Sequence, residues 1–232
     1  MNMVRIVGVL ALLVVMLAVT IIIVSAQFED LPPGQKLLGG FRGRGPAMQF
    51  VQTPADVKEV LGSDVSLNSE VMERALNVDY FFIGCYALLY LSISRLLMKR
   101  NCPWARYLGI VALVAGLGAA VADVRENRAI LQVLGETPGY LQTSVNMIND
   151  AALLKWTLSF VAIALLAIAF QDLESRLARW ISITYIVTAV IGFAGLWIHP
   201  LLALAFIPLV IGNVLLAFTA FTRPHELIEN TG

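Results

Sequence analysis

The chain has 232 residues, 59% of them hydrophobic and only 14% charged, and its mean hydropathy is +0.80. Soluble domains carry about 25% charged residues, so the composition excludes an ordinary water-soluble globule. Lys and Arg number 16 and so do Asp and Glu, so the chain lacks the net basic charge of a nucleic-acid binder. Two cysteines and two histidines are too few for a disulfide scaffold or a Cys/His zinc site. The expected class is an all-α integral membrane protein with no metal and no cofactor.

A membrane-crossing helix needs about 20 mostly apolar residues. Six windows meet that need: 6–28, 80–98, 107–123, 151–171, 180–198 and 201–222. The expectation is therefore a single membrane domain, a six-helix bundle, with residues 29–78 as an extracytoplasmic loop. The first window carries no charge. Val24, Ser25 and Ala26 before Gln27 resemble a signal-peptidase site, but the apolar run exceeds the 7–15 residues of a usual signal core, which favours an uncleaved anchor.

In the loop, residues 38–46 are Gly-rich without a periodic apolar face, and read as a mobile linker. No buried strand precedes them and no Gly-Lys-Ser/Thr follows, so they are no phosphate loop. Thr53, Pro54 and Asp56 are an N-cap, a first-turn proline and a first-turn acid. They predict a short helix to about Leu61, ending at Gly62. A second helix from about Asn68 or Ser69 should run straight into the second span. A segment of about 50 residues without cysteine buries little core alone, so it should pack on the membrane part or on a partner.

Ionisable residues inside membrane spans are costly and are candidate functional groups by default. Asp79 opens the second span, Asp123, Glu126 and Asn127 close the third, and Asp150, Lys155 and Trp156 open the fourth. On the third span Ala112, Gly116 and Ala120 form a small-residue stripe that admits a close neighbouring helix. The same face continues into Asp123 and Asn127. The candidate ligand-binding set is Asp79, Asp123, Glu126, Asn127 and Lys155, able to take a cation, a head group or a proton. Such a site requires Asp123 and Lys155 to face each other inside the bundle. The competing interpretation is that these charges merely anchor helix ends.

The fifth and sixth spans are separated only by His199-Pro200. As one helix, residues 180–222 would be about 65 Å long, so they form a hairpin broken at the proline. Pro208 and Asn213 point to a kink or an interhelical hydrogen bond. Trp104, Trp156, Trp180 and Trp197 all fall at expected interfaces, as an aromatic belt would. Cys85 and Cys102 lie at different depths and cannot pair.

The positive-inside rule orients the bundle. Arg5, Arg95, Lys99, Arg100, Arg106, Arg176, Arg179 and Arg223 share one side with only Asp172, Glu174, Glu226 and Glu229. Both termini are therefore expected in the cytoplasm, in a plasma (inner) membrane. No HExxH, GxSxG, Walker or CxxCH motif is present. The leading expectation is a non-catalytic subunit that assembles with other membrane proteins, on the strength of the missing catalytic motifs, the small-residue stripes and the long loop. The alternatives are a binding or transport protein using the polar set, and a lipid-modifying enzyme using Asp123 or Glu126 as acid-base.

Overall fold

The computed structural model describes residues 3–32, 35–100, 102–135, 142–171, 173 and 175–227. Among them there are eight α-helices and no strand. In chain order they are α1 (Met3–Ser25), α2 (Arg44–Met48), α3 (Pro54–Leu61), α4 (Val65–Met98), α5 (Pro103–Gly135), α6 (Gln142–Gln171), α7 (Arg176–Gly195) and α8 (Pro200–Thr222). Six of these, α1 and α4 to α8, are long and apolar enough to cross a membrane. The protein is a multi-pass membrane bundle.

Each long helix packs on its neighbours in sequence, and α1 also packs on α8, which closes a ring of six. Gly8 of α1 lies where an added β-carbon would meet Ala220 of α8, so the ring closes on a backbone-close contact. Val7, Leu97, Phe170 and Leu216, from four different helices, help to line a cavity of only about 10 Å³, so the ring is filled there. The α7–α8 pair is fastened by the Tyr185 hydroxyl, which donates to Asn213 Oδ1 at 3.0 Å. Asn213 thus makes the interhelical hydrogen bond that a lone amide in an apolar span suggests. Cys85 and Cys102 are both free thiols.

Three helices outrun their apolar windows. α4 begins at Val65 rather than near Asn68, because the Asp64 carboxylate accepts from the Leu67 N–H and caps it. The second half of the expected loop, 65–78, is therefore helix. α5 continues past Asp123 to Gly135, and α6 starts at Gln142, well before 151. No proline interrupts 104–135, and a helix has no reason to stop where hydrocarbon does.

Exposed side chains mark where hydrocarbon ends. On α5, Tyr107, Ile110, Val114, Leu117 and Val121 are exposed, and then Arg125 and Arg128. On α4 the exposed side chains change from Glu73, Arg74 and Asn77 to Phe81 and Leu88, and on α6 from Asn146 and Asp150 to Leu153 and Leu154. Three helices thus place one polar–apolar boundary at 77–81, 121–125 and 150–153.

Where a linker at 38–46 is expected, the loop has defined local structure, a turn at Leu38–Gly40 and the start of α2 at Arg44. Gly39 and Gly40 have φ of 68° and 80°, a left-handed turn that glycine makes without strain. Glycine here serves shape. The turn delivers Phe41 into a stack with Phe50 (5.4 Å between centroids) and His199 (5.8 Å), and Phe50 lies 4.3 Å from His199. Burial against these rings lowers the His199 pKa. The predicted cap of α3 is present as a capping box between Thr53 and Asp56.

A second polar network ties the loop to the start of α4. Arg44, only 4% exposed, donates to Val60 O at 2.5 Å and to Glu29 O and Oε2, both at 3.3 Å. Asn68 accepts from Glu29 N–H at 3.0 Å and donates to Leu61 O at 2.6 Å. The Ser63 hydroxyl also donates to Glu29. That bond, with the Asp64 N–H, holds the Glu29 carboxyl below its ordinary value of 4.5.

Candidate functional site

The polar set meets where α4, α5 and α6 pass the boundary. Lys155 of α6 places its Nζ 2.6 Å from Glu126 Oε2 and 3.1 Å from Asp123 Oδ1, both on α5. The Tyr86 hydroxyl of α4 donates to Asp123 Oδ2 at 3.0 Å. Asn127 Nδ2 donates to Asp79 Oδ2 at 2.7 Å, joining α5 to α4. All five sequence-selected residues therefore fall in one cluster, with Asp123 and Lys155 face to face. Asp150 stands outside it, exposed.

Local sequence explains the arrangement. Ala112, Gly116 and Ala120 are buried, and a β-carbon on Gly116 would run into the Tyr90 ring of α4. The stripe thus lets α4 press against α5 within this chain. Asp123 and Asn127 extend that face, while Glu126, one turn on from Asp123, is buried toward α6. Arg125 and Arg128 point outward, as the 100° step per residue demands.

The α5 and α6 members of the cluster are buried, and the α4 member is partly open. Glu126 is 0% exposed, Asn127 1%, Asp123 4% and Lys155 5%; Asp79 is half-buried. Its charges do not balance, since the cluster holds one ammonium, two carboxyls paired with it and a third, Asp79, bonded to Asn127. Glu126 Oε1 is buried and has no hydrogen-bond partner among the described residues. An unpaired buried carboxylate oxygen is costly, so the cluster has capacity for positive charge. Among the described residues no three His, Cys, Asp or Glu groups are disposed to hold a metal ion.

Two contributors lie outside the residue set selected from the sequence. Tyr86 follows Asp79 by seven residues, two helical turns, so the shared face was visible in principle. Trp156 is the other. It is not a belt residue like Trp104, Trp180 and Trp197, which are all more than half exposed. It turns inward, stacks on Phe160 at 5.7 Å and lies with its ring centroid 5.0 Å from Lys155 Nζ. Its indole N–H donates to Gln49 Oε1 at 3.0 Å. The loop therefore reaches the cluster through one indole ring, and Gln142 Nε2 donating to Gln52 O at 2.7 Å fixes the same stretch of loop to α6.

In comparisons with known proteins, the chain matches no family model, no curated protein and no solved structure.

Proposed function

We propose that the protein binds a small cation or a proton in the α4–α5–α6 cluster, as a membrane binding or transport protein. The observation that carries this reading is the surplus of carboxyls over ammonium in a largely buried site, with one carboxylate oxygen unpartnered. The basic residues gathered at the opposite end of the bundle support an orientation with the cluster at the extracytoplasmic boundary of a plasma membrane.

Two of the features that suggested a partner subunit are engaged inside this chain: the small-residue stripe on α5 packs against α4, and the loop packs on its own bundle. Neither requires a partner, and the missing catalytic motifs keep a subunit role as the second reading. A catalytic acid must touch its substrate, and Asp123 and Glu126 are closed to solvent and lipid alike, so the acid-base reading loses support.

Ligand linkage provides the test, because whatever binds the native state alone raises its stability. Thermal unfolding of the purified protein is followed across pH and across NaCl and KCl at constant ionic strength, in wild type and D123N. A cation- or pH-dependent shift in Tm that is present in wild type and lost in D123N is expected. Identical responses in both proteins would sink the proposal.

A further inference from the structure

We infer that the ligand is a proton, held on Glu126 and exchanged by way of Asp79; this rests on the cation-binding reading above. The first ground is steric. Lys155 Nζ already stands between the two α5 carboxylates, at 2.6 and 3.1 Å. That is the position a metal cation would need, and a hard cation wants about six or more oxygens around it. No third acid joins Asp123 and Glu126 with metal-binding geometry among the described residues. A proton requires only one oxygen.

The second ground is the unpartnered Glu126 Oε1, wholly buried. Protonation there, H⁺ from water adding to the carboxylate, removes one of the two surplus negative charges and leaves Lys155 paired with Asp123. The proton comes from hydronium, whose O–H bond breaks to leave water, and nothing is oxidised. The remaining groups facing the site are accounted for. From α4 come Asp79, tied to Asn127, and Tyr86, donating to Asp123. Tyr80 is half-buried beside Asp79, and Arg125, Arg128 and Asp150 are exposed. Asp79 is the only acid of the three with appreciable exposure, which makes it the point of exchange with water.

Infrared difference spectroscopy on the full chain in lipid nanodiscs reads this directly. Wild type at neutral pH is expected to show a protonated-carboxyl C=O band that shifts in deuterated water. E126Q should lose that band, E126D should move it, and D79N should retain it but slow its deuterium shift. Absence of the band in wild type overturns the inference. So does its persistence in E126Q, or its movement in neither Glu126 variant. Addition of NaCl or KCl separates the two claims. A wild type without the band whose carboxylate bands respond to either salt keeps the cation reading and rejects the proton. A protein silent to both pH and salt rejects both.

Discussion

Two polar networks in this molecule, one half-exposed and one largely buried, can be set side by side. In the loop, Arg44 faces one carboxylate, Glu29, and its remaining donors meet backbone carbonyls; Asn68 and Ser63 complete the set. Each partner answers another, and the charges cancel. At the α4–α5–α6 boundary, one lysine pairs with two acids, a third acid, Asp79, stands in the same cluster, and a carboxylate oxygen is left over. Geometry is tight in both. The difference is that the loop network is complete as a structural clamp, whereas the boundary cluster carries more negative charge than its fold neutralises.

The largest break in this contrast should come from Lys155→Met. Removing one partner of a buried ion pair costs about 3–5 kcal/mol, and here it strands two α5 acids together. A pronounced fall in Tm in detergent is expected, with partial recovery when D123N is added to the same chain. Full additivity of the two changes would show that the residues do not interact.

Arg44→Met should destabilise the loop by about 1.5–3 kcal/mol, the range for hydrogen bonds to charged groups, because Val60 O and Glu29 lose their donor. Limited proteolysis should then cut within 29–64 while the membrane core resists. Equal sensitivity of both regions would mean that the loop and bundle share one network. Gly116→Ala should cost about 1–3 kcal/mol by overpacking against Tyr90, measured by the same melt. A neutral result would show that α4 and α5 can separate freely at this level.

The Glu29 carboxyl sharpens the comparison through pH. Its value is lowered in the folded chain, so the folded form binds fewer protons than the unfolded one. The stabilisation is fully present above the ordinary value of 4.5 and is lost as pH falls through the lower native value. Proteolytic opening of 29–64 should therefore rise below about pH 4.5 in wild type, and this step should vanish in E29Q. The smallest effect is expected from Thr53→Ala, which removes the α3 cap and should cost about 1 kcal/mol, seen as faster amide exchange confined to 54–61.

Much of this was legible in the sequence, for identifiable reasons. The six long helices follow from apolar runs that have no alternative in lipid. Asp123, Glu126 and Asn127 could be placed because the Ala112–Gly116–Ala120 stripe fixes which face of α5 is buried, and helical spacing extends it. The α3 cap was readable because Thr-Pro-Ala-Asp is a local signal. The turn at Gly39 and Gly40 was not, since glycine is enriched both in linkers and in turns that need positive φ, and composition does not separate the two. Arg44 differs from Arg42 by nothing local; only the distant Glu29 and Val60 carbonyl make one buried and the other exposed. Trp156 was misplaced because its depth was right and its direction, set by Phe160 and Gln49, is a tertiary property.

The length of α4 has a mechanical consequence. Val65 lies about 20 Å from Asp79 and Met98 about 28 Å on the other side, at 1.5 Å rise per residue. The cluster is thus a fulcrum on a rod that is anchored in hydrocarbon at one end and gripped by the loop at the other. A tilt of about 5° about that point would swing Val65 by about 2 Å over its lever arm of about 20 Å. Any change in the charge state of the fulcrum that relaxes its hold would be delivered, magnified, to the loop network around Glu29 and Arg44.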